Sequence, residues 1–377
     1  MKIISTAQIV RRVVLIIRFV AIILFLSLLL LFLPASAFAA GEPDVQAEAC
    51  ILLGEDGSVL FSRNADSRRL IASTTKLMTA LVCLENDVLD DVVTAQARHC
   101  AVEGSSMYLK AGERYTVREL LLGLLLSSGN DAALALAEHT AGSEAAFVQL
   151  MNHRAQELGL RNTHFENPHG LDAAEHRSTA RELAMLMLRA MENPAFRELT
   201  GLRSVQVGEQ TLLNHNKLLA TCPGCIGGKT GYTRAAGRCL VSCCERDGMR
   251  LVCVTLNDPD DWNDHRRLYD WAFDNYSLHD LSEELRFDVP VLSGSRTSVA
   301  ASPIPGTRLI LPRYEQTEVR AELSRFVFAP VTAGDEAGMV SILKNGETLF
   351  RFPLIYRQDA VLADPCFEAS LQETMIP

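Results

Sequence analysis

Three short motifs supply the residue types of an activated serine: Ser73-Thr74-Thr75-Lys76, Ser128-Gly129-Asn130 and Lys229-Thr230-Gly231, in that order along a chain of 377 residues. A serine hydroxyl is a weak nucleophile until a base takes its proton. Ser73 and Lys76 stand at i and i+3, so on a helix they share one face. A serine at a helix N-terminus also meets free backbone N–H groups that favour developing negative charge. Lysine acts as a base only when neutral, against an ordinary pKa of ~10.4. Burial and a second cation both lower that value, and Lys229 is the evident second cation. Lysine is scarce here, six against thirty arginines, yet two of the six fall in these motifs. Arginine, charged at every working pH, could not serve as the base. Ser128 is suited to relay a proton toward a leaving group, and the Asn130 amide to donate to a substrate carbonyl. Lys229 with the Thr230 hydroxyl makes a carboxylate site, and Gly231 lets a substrate backbone approach closely.

Each motif also has a plainer reading. Ser73 alone fits a helix N-cap, and Ser128-Gly129-Asn130 fits a capped helix–helix junction. Gly227-Gly228-Lys229-Thr230-Gly231 fits a glycine-rich turn with a solvated lysine. S-x-x-K recurs at Ser341-Ile342-Leu343-Lys344 and S-x-N at Ser62-Arg63-Asn64, whereas K-T-G occurs once. Ser341 and Lys344 fall in a predicted strand, where an odd spacing sends side chains to opposite faces. Order and context together favour the chemical reading.

The elements that must position these residues follow from periodicity. Residues 47–62 read as a hairpin turning at Glu55-Asp56-Gly57. A helix starts near Ser73 with Leu77, Leu81 and Leu84 on one side. Thr116-Val117-Arg118-Glu119 is a capping box, and helices are predicted past Asn130, from Ser143 to Leu158 and from Thr179 to Met191, the last stopped by Pro194. Strands follow at 204–207, 226–233, 239–244 and 251–256, then a helix over 261–276 that packs back on the sheet. From Leu285 onward short alternating runs separated by turn residues, with Asn345-Gly346 as a hairpin signal, predict a small all-β unit. The expected class is α+β: an antiparallel sheet covered by a helical cluster, followed by a small all-β C-terminal domain. The divisions expected are a signal peptide over 1–39, a catalytic domain over 40–280, a β-sandwich domain over 285–366 and a short tail over 367–377.

Arg11, Arg12 and Arg18 precede an uncharged run ending in Pro34-Ala35-Ser36-Ala37-Phe38-Ala39-Ala40. Two readings fit: a secretory signal cleaved after Ala37 or Ala39, or an uncleaved segment that associates the chain with the membrane. Both place the remainder outside the cytoplasm, at the outer face of the cytoplasmic membrane, the cell wall or the periplasm. Those residues hold four basic side chains and no acidic one, so losing them moves the net charge from −10 to −14. An acidic protein has no electrostatic reason to bind nucleic acid. All ten cysteines follow this segment. Several fall in apolar runs as core thiols. Cys222-Pro223-Gly224-Cys225 fits a local disulfide or half of a metal site, though no second C-x-x-C completes four ligands.

With these residues in place, the pattern resembles the serine D-alanyl-D-alanine carboxypeptidases, the low-molecular-mass penicillin-binding proteins. The likeness extends to Glu166-Asn167-Pro168-His169-Gly170-Leu171, to His176-Arg177-Ser178-Thr179-Ala180-Arg181, to Asn214-His215-Asn216-Lys217-Leu218-Leu219 and to Ala236-Gly237. The resemblance implies a β-lactamase/transpeptidase-like fold and a Ser73 acyl-enzyme formed on peptidoglycan stem peptides ending in D-Ala-D-Ala. It implies Lys76 as base and Ser128 and Asn130 as proton path and substrate grip. Lys229 and Thr230 would hold the terminal carboxylate, and the N–H groups of Ser73 and Tyr232 would form the oxyanion hole. β-Lactams are the implied inhibitors, and no metal or organic cofactor is called for. A serine β-lactamase is the near rival, but that group typically carries Asp where this chain has Gly129, and Glu166 lacks the E-x-x-L-N context. A penicillin-binding sensor without turnover, or a transpeptidase, would use the same residues.

Overall fold

The computed structural model describes residues 41–314 and 316–363; the predicted signal segment and the tail lie outside the described residues. Five strands make the central sheet: β1 (Ala49–Gly54), β2 (Val59–Arg63), β3 (Cys225–Thr233), β4 (Gly237–Arg246) and β5 (Met249–Leu256). Their order is β2–β1–β5–β4–β3, antiparallel throughout. Both faces of this sheet are covered, which explains why its strands read as nearly continuous apolar runs. Ile51, Val241 and Val254 point into one core, while Cys50, Leu240 and Cys253 point into another. This is the period-two alternation of a strand with apolar residues at both phases.

The first core belongs to a helical cluster: α1 (Lys76–Asn86), α2 (Val117–Leu125), α3 (Asn130–Ala141), α4 (Glu144–Glu157), α5 (Ala180–Glu192) and α6 (Pro194–Gly201). The second is closed by α7 (Asp261–Asn275), whose Leu268, Tyr269, Ala272 and Phe273 lie against the opposite face. The capping box at Thr116 forms as expected, with Glu119 N donating to Thr116 Oγ1 at 3.1 Å and Thr116 N to Glu119 Oε2 at 2.8 Å.

Two local features go beyond what the sequence pattern gave. Pro194 ends one helix but also opens α6, where its missing N–H costs nothing at the first helical position. Ser73 is not an N-cap: it lies in a 3-10 turn, Ala72–Thr75, that runs directly into α1.

The C-terminal region is all-β: β6 (Tyr276–Asp280), β7 (Phe287–Leu292), β8 (Ser298–Pro303), β9 (Arg308–Pro312), β10 (Thr317–Leu323), β11 (Val327–Phe328), β12 (Glu336–Lys344) and β13 (Glu347–Tyr356). Six of them form a sheet ordered β10–β12–β13–β8–β7–β11. The Asn345-Gly346 turn joins β12 to β13 as predicted. Sequence pattern missed β6 and β8, and it did not foresee that β9 pairs with β6. Asp56 in the first hairpin accepts Ile310 N at 2.8 Å, so the sheet of the N-terminal half also touches β9.

Candidate active site

The 3-10 turn, the α2–α3 junction and β3 converge on one cleft. It is lined by Ser73, Ser128, Thr230, Gly231 and Tyr232, together with Ser105, His215, Arg238, Asp261 and Trp262. Lys76, Asn130 and Lys229 are buried beside it, at 0%, 3% and 1% exposure. All eight residues singled out from the sequence therefore meet around one cavity.

At the first two motifs, Ala72 (φ 47°), just before Ser73, and Ser128 (φ 60°) are held in the left-handed region without being glycine. Such conformations cost roughly 1–3 kcal/mol and persist where the surroundings over-determine them. Here the glycines explain the surroundings. A Cβ on Gly170 would lie 2.0 Å from Ala72 O. One on Gly231 would lie 3.0 Å from Ser73 N. One on Gly129 would lie 2.7 Å from Asp131 Oδ1, so a side chain at the middle position of the second motif would press on the Asp131 carboxylate. Asp131 is committed already, accepting from Ser106 Oγ at 2.5 Å, Met107 N at 3.0 Å and Leu109 N at 3.1 Å, which anchors the loop holding Ser105.

Lys76 Nζ has three neighbours: Ser73 Oγ at 3.0 Å, Asn130 Oδ1 at 2.7 Å and His169 O at 2.6 Å. The Asn130 amide is oriented by its own Nδ2, which donates to Glu103 O at 2.6 Å. His169 O is presented by an Asn167 turn in which Oδ1 accepts Gly170 N at 2.7 Å. Burial lowers the Lys76 pKa well below its ordinary value, and the Lys229 charge lowers it further against the opposing pull of Asp131. Lys229 itself is pushed down to about 7 by burial. It donates to Thr230 O at 2.8 Å. Burial thus disfavours the charge on both lysines, and the Lys229 charge adds to the effect on Lys76.

Sequence reasoning missed the carbonyls of His169 and Glu103, because a main-chain acceptor carries no side-chain signature. It also missed the mouth of the cleft. There Arg238 grips Asp261 with Nη2 2.7 Å from Oδ1, and its guanidinium lies 5.6 Å from the centroid of Trp262. Only the resemblance had pointed to the 166–171 and 176–181 segments. They pack under the turn, with His176 Nε2 2.7 Å from Thr75 Oγ1.

A half-buried serine beside a buried lysine, under the edge of an antiparallel sheet, is equipped for acyl transfer through a serine ester. Known proteins agree with that class. A family model for D-alanyl-D-alanine carboxypeptidase matches residues 36–260. The carboxypeptidase DacF of Bacillus subtilis is 32% identical over 373 residues, covering 92% of this chain and 95% of that protein. DacC of Escherichia coli is 33% identical over 357 residues, covering 88% and 89%. Among solved structures, penicillin binding protein 5 from Haemophilus influenzae superposes with a TM-score of 0.75 at 28% identity, over 85% of this chain and 99% of that one. Penicillin binding protein 6B from Escherichia coli gives 0.69 at 27% identity, over 85% and 98%. The chain belongs to the D-alanyl-D-alanine carboxypeptidase family and has the penicillin-binding fold.

Proposed function

We propose that the D-alanyl-D-alanine carboxypeptidase activity of this family runs here through a Ser73 acyl-enzyme, with Lys76 as its base. The observation that carries this reading is the environment of Lys76 Nζ. Asn130 Oδ1 and His169 O have no hydrogen to give, so they take the two N–H bonds of a neutral amine. The remaining lone pair then faces the one neighbour that can donate, the Ser73 hydroxyl at 3.0 Å.

A stem peptide ending in D-Ala-D-Ala lies along β3 with its carboxylate at Lys229 and the Thr230 hydroxyl. Lys76 accepts the proton as Ser73 Oγ attacks the penultimate carbonyl. The N–H groups of Ser73 and Tyr232 stabilise the oxyanion, and the close approach of Gly231 to Ser73 N supports that pairing. Ser128 passes a proton to the departing D-alanine nitrogen. Water then hydrolyses the ester and frees Ser73. A β-lactam acylates the same oxygen. The packing of Gly129 against Asp131 speaks against a β-lactamase-like second motif.

The substrate lies outside the cytoplasm, and the basic and apolar character of residues 1–39 supports export with or without retention at the membrane. We read 40–280 as the catalytic domain and 285–366 as an appended β domain. Incubating the chain with a peptide ending in Lys-D-Ala-D-Ala tests the assignment. Free D-alanine that requires Ser73 and is blocked by benzylpenicillin upholds it. Penicillin labelling without D-alanine release would replace it with a sensor or transpeptidase role.

A further inference from the structure

The C-x-x-C spacing singles out Cys222 and Cys225, but the fold brings in a third thiol. Cys222 Sγ lies 3.8 Å from Cys244 Sγ on β4. Cys225, the first residue of β3, stands directly opposite Cys244 in the β3–β4 ladder. The turn between them is pinned to β4: Glu245 N donates to Gly224 O at 2.8 Å, and Arg246 Nε donates to Pro223 O at 3.0 Å. Gly224 is in the left-handed region, φ 79°, and a Cβ there would lie 2.6 Å from Glu245 O. The thiols are therefore held together by backbone contacts and not by chance rotamers.

Cys222 is itself buried, 5% exposed and packed in the second core, but its surroundings differ from those of the other core thiols. It lines a surface recess with Thr221, Asn263, Arg266, Arg267 and Asp270. Arg246 Nη2 lies 3.8 Å from its sulfur. Its pKa is lowered by the Cys244 hydrogen bond and by the Arg246 charge, whereas burial raises those of Cys50, Cys83, Cys239, Cys243 and Cys253. Thiolate character and access are what make a cysteine react.

We propose that Cys222, Cys225 and Cys244 form a thiol-oxidation site: Cys222 attacks a low-molecular-mass disulfide, and Cys244 closes an internal bond that staples the root of β3 to β4. In the first step the Cys222 thiolate forms a bond to one sulfur of the small disulfide and its S–S bond breaks. One small thiolate leaves and takes up the proton that Cys222 lost. In the second step Cys244 Sγ, giving its proton to the departing thiolate, displaces the second small thiol from Cys222. Two protein thiols are oxidised and one external disulfide is reduced to two thiols. The sulfurs need to close from 3.8 Å to a bond of about 2.05 Å. Cys225, across the ladder, can exchange into that bond.

The location gives the bond a consequence. The loop it closes contains all of β3, and with it Lys229, Thr230 and Gly231. Asn216 Nδ2 lies 3.9 Å from Cys225 Sγ, and a Cβ on Gly228 would lie 2.9 Å from the same nitrogen. Cys225, which can exchange into the bond, thus touches the side chain packed against Gly228, the residue before Lys229.

The test treats the purified full-length reduced chain with oxidised glutathione, blocks residual thiols and maps the linked peptides by mass spectrometry. Fragment spectra must separate Cys222 from Cys225 and Cys244 from Cys243. The expected result is loss of two thiols, a Cys222–Cys244 bond and a Tm higher by about 5 °C, as for a short closed loop. Cys222→Ser should abolish both the bond and the Tm rise, and Cys244→Ser should leave Cys222 carrying glutathione or joined to Cys225. The proposal is overturned by unchanged thiol content in the folded chain, by a wild-type bond that excludes Cys222 or Cys244, or by an adduct confined to exposed Cys100. Mapping the wild-type chain decides the matter even where a variant fails to fold.

Discussion

The chain carries S-x-x-K twice, and the two copies sit in regions built on different backbone periods. Ser73 and Lys76 span a helical turn, and Lys76 Nζ reaches Ser73 Oγ at 3.0 Å. Ser341 and Lys344 lie on β12, where three residues span about 10 Å of strand. In the ladder Ser341 stands opposite Arg351 and Lys344 opposite Glu347. The motif is the same, but only one copy is folded so that serine meets lysine. The surroundings differ as well. Lys76 is wholly buried beside a second buried lysine, while β12 is a ladder strand of the C-terminal sheet. The difference teaches that a short motif names the parts, and backbone geometry decides whether they touch.

Removing each serine in turn separates the two copies most strongly. Ser73→Ala should lower D-alanine release at least about 10⁴-fold and abolish benzylpenicillin labelling, whereas Ser341→Ala should change release less than about twofold. Equal effects would show that the wrong copy has been assigned. The lysines come next. Lys76→Arg puts a permanent cation where the neutral amine acts and so removes the base, and kcat/KM should fall about 10²–10⁴-fold, while Lys344→Arg should leave it within about twofold.

Gly231→Ala probes the geometry without touching a polar group. Its Cβ would sit 3.0 Å from Ser73 N and 3.1 Å from Ile71 O, so β3 must move away from the nucleophile. Steady-state kinetics should show kcat down about 10–100-fold.

The pH profile is the mildest test. Lys76 works as the neutral amine, and its lowered pKa means kcat/KM rises with pH until that group is deprotonated. Lys229 works as the cation, and kcat/KM falls again as pH passes its value of about 7. The sign for Lys229 can be separated from that for Lys76, because a substrate amide lacking the terminal carboxylate should lose the alkaline limb alone.

Much of the fold was legible because its signals are local. The Thr116 capping box, the Asn345-Gly346 hairpin and the apolar period of α1 each lie within a few residues. Pro194 stops a helix as read, but the helix it opens was not read, since the same residue that cannot continue a helix is well placed to begin one. β9 was readable as a strand, but its partner β6 was not, because pairing depends on residues distant in sequence. The site shows the same division. Ser73, Lys76, Ser128, Asn130, Lys229, Thr230 and Gly231 could be nominated from type and spacing, and Tyr232 only from the family resemblance. Arg238, Asp261 and Trp262 at the mouth of the cleft could not, for each is an ordinary residue until the β4 and α7 termini meet.

By itself the sequence determined which groups were available: a serine and a lysine one turn apart, a second scarce lysine beside a threonine, and glycines where no side chain could stand. Those choices are covalent, and they set the chemistry that is possible. Only the tertiary structure decided that Lys76 would be dry, close to Lys229 and facing two carbonyl oxygens with no hydrogen to offer. Desolvation and charge proximity are properties of packing across the fold, not of neighbours along the chain. The same holds for Cys222, whose sequence partner was Cys225 but whose sulfur the fold brings to 3.8 Å from that of Cys244.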